Sequence, residues 1–96
     1  MATYVNFVKL TDQGARNVKD TVARAESYWA AIRKAGGKLI QEVWTTGEYD
    51  AVVLFEAPDD ETAVALSLEV SALGNVRTET VRAFTPDEMK KLTAKS

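Results

Sequence analysis

Two apolar runs, Lys38–Thr46 and Tyr49–Ala57, are separated by only Gly47 and Glu48. Both have the Val, Leu and aromatic content of strands, and so short a link leaves no room for a crossover. The chain must therefore turn back antiparallel on itself. Glycine at the first central position suits a type II′ turn, which needs a positive φ there. This hairpin restricts where every other element can go.

Before it, Thr3–Leu10 mixes Tyr4, Val5, Phe7 and Val8 with Asn6 and Lys9, a pattern that predicts a strand covered on much of both faces. Thr11 or Asp12 can cap a first helical turn in "TDQGARNVKD", and the longer helix is predicted over Thr21–Lys34. Val18, Val22, Ala25, Trp29 and Ile32 recur at spacings of four, three, four and three, forming one stripe that can lie on a sheet. Gly36 and Gly37 end that helix.

After the hairpin, "APDDETAVALSLEVSALGN" reads as the clearest helix, with acidic residues in its first turn and Gly74 closing it. Its expected packing stripe is Ala63, Leu66, Val70 and Leu73, widened by Val64 and Leu68. "NVRTETVRAF" alternates as a half-exposed strand. Thr85, Pro86 and Glu88 then have capping-box spacing for a short C-terminal helix.

The order β-α-β-β-α-β is the ferredoxin-like α+β arrangement, one domain over residues 1–96 with an antiparallel sheet in the order 4-1-3-2. Three stretches, "LTDQGAR", "TTGEYD" and "LGNVRTE", are then expected at one end of the sheet. Continuing the alternation through a two-residue turn puts Trp44, Tyr49, Val53 and Phe55 on one face and Asp50, Val52 and Leu54 on the other. Both faces are apolar, yet two helices can cover only one of them. A second copy of the chain is the simplest cover, so a homodimer or higher even oligomer is expected, against the rival of a monomer shielded by its own tail.

Composition narrows the chemistry. The chain has no cysteine and no histidine, which removes thiolate sites, disulfides and the commonest metal ligand and general base. Asp59, Asp60 and Glu61 are successive helix-start residues that do not converge on an ion, so no metal site is expected. The five glycines lack a phosphate-binding spacing, and no cofactor is expected. A net charge of −2 with dispersed Lys and Arg argues against a nucleic-acid partner. The N-terminus carries no secretion pattern, so a cytoplasmic protein without a membrane role is expected.

Candidate ligand-binding residues sit at the end where the three stretches meet. Tyr49 beside Trp44 can form an aromatic wall, or be a core residue with a wet hydroxyl. Asp50 can act as a base or simply accept hydrogen bonds from the turn. Arg77 is the cation placed to grip an anion or to pair with Asp50, with a solvent-facing side chain as the remaining alternative. Asn6, inside a central strand, needs partners if buried and can orient a ligand. Trp29 is read as core, and Tyr49 and Asp50 are the weak catalytic candidates.

"TTGEYD" with "AVVLFEAPDD", "ALGNVRTETVRAF" and "LTDQGARNVKD" closely resembles the bacterial GYD domain family, whose Gly-x-Tyr-Asp motif falls on Gly47, Tyr49 and Asp50. The resemblance spans nearly the whole chain. It implies a dimeric α+β barrel-like architecture of uncertain biochemical role, shared by small cofactor-independent monooxygenases, isomerases and decarboxylases and by ligand-sensing modules. A small-molecule-binding homo-oligomer is the leading expectation, with a cofactor-independent enzyme or an assembly module as alternatives.

Overall fold

The structure, a computed structural model, describes residues 1–95. Its elements are β1 (Ala2–Leu10), α1 (Asp12–Arg16), a 3-10 turn (Val18–Asp20), α2 (Thr21–Lys34), β2 (Lys38–Trp44), β3 (Ala51–Ala57), α3 (Asp60–Ala72), β4 (Val76–Ala83) and α4 (Pro86–Ala94). The four strands form one antiparallel sheet in the order β2-β3-β1-β4, the expected topology read from the opposite edge.

Helices α2 and α3 cover one face. The core there is Tyr4, Tyr28, Ile32, Val53, Phe55, Ala57, Ala63 and Leu66. Ile32, Val53 and Phe55 are fully buried, each stabilising the fold by about 1.5–3 kcal/mol relative to exposure. Tyr4 stacks on Phe55 with ring centroids 5.6 Å apart and donates its hydroxyl to Asp60. Burial, then Asp60, pushes the Tyr4 hydroxyl up to about 12.

Local chemistry sets the element ends. Asp59 accepts from the Thr62 backbone N–H at 2.8 Å to cap α3. Thr85 and Glu88 form the reciprocal capping box of α4, at 3.2 and 2.9 Å. A Cβ on Gly14 would stand 2.0 Å from the Asn75 carbonyl oxygen, so only glycine lets α1 press against the loop entering β4.

Three expectations need correction. The hairpin loop is not two residues long: β2 stops at Trp44 and β3 starts at Ala51, the two residues pairing across the ladder. The Thr45 hydroxyl donates to the Tyr49 carbonyl at 2.6 Å, and the Thr45 N–H donates to the Asp50 carbonyl at 2.9 Å. These bonds close a wider turn around Gly47, whose φ is 114°. The α2 stripe is narrower than predicted, since Val18 and Val22 are exposed and Tyr28 is buried in their place. On α3, Val64, Leu68 and Leu73 are exposed, because a helix lying on a sheet buries a narrower band than the six apolar positions occupy.

The second sheet face has no helix over it. Val5, Phe7, Val52 and Leu54 are half-buried there, Val43 and Val81 are exposed, and α4 leaves Met89 and Leu92 exposed as well. The tail therefore does not shield this face.

Candidate ligand-binding cavity

The three distinctive stretches do meet at one end of the sheet. Thr11 donates its backbone N–H to Asn75 O at 3.0 Å and its hydroxyl to Gly74 O at 2.6 Å. Asp50 joins the hairpin to β1 twice. Its N–H donates to Val8 O at 2.8 Å, and its Oδ2 accepts from the Leu10 N–H at 2.8 Å. The carboxylate thereby satisfies a strand-end donor that would otherwise lack a partner, on β1 rather than within the turn.

Beneath this end, between the sheet and α2, lies a cavity of about 220 Å³. Val8, Leu10, Val53, Val70 and Val76 supply an apolar wall, and Trp44 closes the β2 side, its Nε1–H donating to Thr21 Oγ1 at 3.1 Å. Five polar groups matter among the other lining residues: Asn6, Arg24, Tyr28, Glu42 and Asp50.

Asn6 is fully buried and fully engaged as a donor, to Tyr28 OH at 3.1 Å and Ser67 Oγ at 3.3 Å. Its Oδ1 accepts from Thr80 at 3.1 Å, and Ser67 and Thr80 share a 2.6 Å bond. Asn6 thus fixes the Tyr28 ring rather than offering its own amide. Tyr28 accepts from Asn6 and its hydroxyl also bonds with Ser67, so the polar end of the ring is held within this buried network. Burial raises the pKa of that hydroxyl, against hydrogen bonding with Asn6 and Ser67.

Arg24 donates through Nη1 to Asn17 O at 2.8 Å, while its Nη2 is buried with no hydrogen-bond partner among the described residues. Glu42 accepts from Trp29 Nε1 at 2.7 Å and has no cation beside it among the described residues. Burial therefore raises its pKa, with the Trp29 bond pulling the other way. The lining thus holds one buried donor, Arg24 Nη2, without an acceptor among the described residues, and a carboxylate, Glu42, without a cation among them.

Of the residues singled out in the sequence, Asn6, Trp44 and Asp50 stand together at this cavity. Tyr49 does not join them. The wider turn breaks the alternation, so Tyr49 and Asp50 exchange faces. Tyr49 lies on the open face with its ring centroid 5.0 Å from that of Phe7, and its hydroxyl donates to Glu79 at 2.7 Å. That carboxylate is the main reason its pKa is raised. Arg77 is exposed opposite Lys9 on the same open face and donates only to its neighbour's carbonyl, Val76 O at 3.4 Å. The anticipated Asp50–Arg77 pair is absent, since the two side chains leave opposite faces of the sheet.

Sequence reasoning missed Arg24, Tyr28 and Glu42. Glu42 carried a usable signal, because it lies two residues from Trp44 and must share its helix-covered face. Tyr28 sits three residues after Ala25 and four before Ile32, squarely on the buried stripe.

Comparison with known proteins agrees with this architecture. A crystal structure of a protein from Thermus thermophilus superposes with a TM-score of 0.56 at 24% identity, covering 88% of this chain and 95% of that one. A Thermus thermophilus protein named as a glutamine synthetase and cystathionine beta-lyase binding protein is 31% identical over 85 residues, 88% of this chain and 90% of its own length. The GYD domain family matches residues 4–93. The chain belongs to the GYD domain family.

Proposed function

We propose that this chain is a binding module which holds a small organic molecule in the helix-side cavity and assembles with at least one further copy through the open sheet face. The observation that carries the first half is the cavity at the Asp50 end, with the Arg24 Nη2 buried and unpartnered on its wall. A guanidinium nitrogen withdrawn from water without an acceptor is costly, and an occupant that supplies one offsets that cost. At about 220 Å³ the space is smaller than the roughly 300–1,000 Å³ of drug-sized sites, which suits a small metabolite.

The second half rests on area and chemistry. Four strands of seven to nine residues, about 4.8 Å apart and rising about 3.3 Å per residue, make a face of roughly 480 Å². Pairing two such faces gives on the order of 960 Å², just under the roughly 1,000 Å² expected of a specific interface. The exposed Phe84, Met89 and Leu92 are available to extend it. In this arrangement Tyr49 and Arg77 belong to the seam between copies, while Asn6, Trp44 and Asp50 belong to the cavity.

The relative named for binding two enzymes supports a binding role and makes a protein partner a natural second reading for this family member. Methyl NMR of the full chain tests the cavity. Titration with pooled small metabolites is expected to shift the Val8, Val53, Val70 and Val76 methyl signals together. Shifts confined to the open-face residues Val5, Val52 and Leu54 would contradict the cavity reading.

A further inference from the structure

We infer that the cavity occupant is a small zwitterion: a molecule carrying both a carboxylate and an ammonium group on an apolar body, of which a free amino acid with a large apolar side chain is the simplest form. The inference rests on the cavity reading above and specifies its ligand class.

Charge complementarity on the cavity wall leads to this class. Arg24 presents a buried guanidinium nitrogen with no acceptor among the described residues, and a carboxylate is the acceptor whose geometry and charge fit it best. Two carboxylates line the same space. Glu42 has only the Trp29 indole as donor, and Asp50 uses one oxygen for the Leu10 N–H, leaving the other without a partner among the described residues.

No arginine or lysine forms a salt bridge with either acid among the described residues, where the one ion pair is Arg82 with Glu88 at 3.8 Å. A simple carboxylate would answer Arg24 and leave both acids without a cation. A simple amine would do the reverse. An uncharged apolar molecule would fill the Val8, Val53, Val70 and Val76 wall and leave all three charged groups unanswered.

A zwitterion answers both signs at once and places its apolar body against the valines and Trp44. Glu42 fits the same picture from the other side: burial makes its ionised form unfavourable in the empty protein, and a cation beside it removes that penalty.

The test is isothermal titration of the full chain with matched triplets. Leucine is compared with 4-methylpentanoate, which lacks the ammonium group, and with 3-methylbutylamine, which lacks the carboxylate. Methionine and phenylalanine, with their corresponding acids and amines, give two further triplets. At least one amino acid is expected to bind at least about 10-fold more tightly than both of its partial analogues. Arg24→Gln is expected to abolish the preference over the amine, and Glu42→Gln the preference over the acid, with circular dichroism confirming that both variants fold.

An acid or an amine binding as tightly as its amino acid would overturn the inference while leaving the cavity as a ligand site. Binding that persists unchanged in both variants would overturn it as well. If no member of any triplet and no pooled metabolite perturbs the cavity methyls, the cavity reading itself fails, and the inference with it.

Discussion

The two faces of the sheet are built in opposite senses. The helix-covered face carries Asn6, Glu42, Thr78 and Thr80 among its apolar residues and keeps an unfilled space beside them. The open face, where polar residues would be expected, carries Val5, Phe7, Val43, Val52, Leu54 and Val81. An interior that is more polar than packing needs suits a site for a small molecule. An exterior more apolar than solvent favours suits a site for another protein surface. The contrast separates the two proposed roles onto two sets of residues that can be changed independently.

The largest effect is expected on the open face. Leu54→Glu would place a charge in the middle of the proposed seam, at a cost on the order of 3 kcal/mol. That corresponds to about a 100-fold loss of self-association. Sedimentation velocity checks it, and unaltered ligand binding in the same variant would show that the faces work separately. A variant that associates as the parent chain does would remove the open face from the account.

At the covered end, Asp50→Ala leaves the Leu10 N–H without its acceptor and should destabilise the fold by about 1–3 kcal/mol in denaturant unfolding. Asp50→Asn keeps a carbonyl oxygen at that place and should recover much of the loss. Equal losses in the two variants would mean that the carboxylate's charge, rather than its hydrogen bond, secures the hairpin.

Glu42 gives a pH-dependent prediction of smaller size. Its folded pKa is raised above the ordinary 4.5, so the stability conferred by its neutral form is present in acid. That contribution is lost as pH rises through the folded value. Glu42→Gln, which stays neutral throughout, should match the parent chain below about pH 4 and exceed it at neutral pH. Because the side chain is partly solvated, the gain should stay under about 1 kcal/mol. A thermal-melting difference that does not change with pH would contradict the assignment of burial as the cause.

The smallest effect should come from Tyr49→Phe. Its bond to Glu79 is exposed, so the melting temperature should not change measurably, while any change in self-association would place the hydroxyl at the seam.

These contrasts also show which features were legible in the sequence. The element order, the antiparallel topology, the α4 capping box and the convergence of three loops followed from turn residues and apolar spacing, because those signals are local or topological. The faces of Tyr49 and Asp50 did not follow. They depend on whether the turn closes in two residues or more, and the Thr45 hydroxyl bond that settles it involves an ordinary surface threonine. Arg24 was hidden for a different reason. It lies between buried positions on α2, and only its folded path to the Asn17 carbonyl carries the second guanidinium nitrogen out of water. Glu42 could have been found by asking which strand charges share a face with Trp44.

Whether the two faces serve two separable binding roles is decided by native mass spectrometry of the full chain beside Leu54→Glu. An even-numbered oligomer carrying a small molecule is expected for the parent chain, and a monomer that still retains that molecule for the variant. A parent chain that is monomeric, or a molecule lost together with the oligomer, would contradict it.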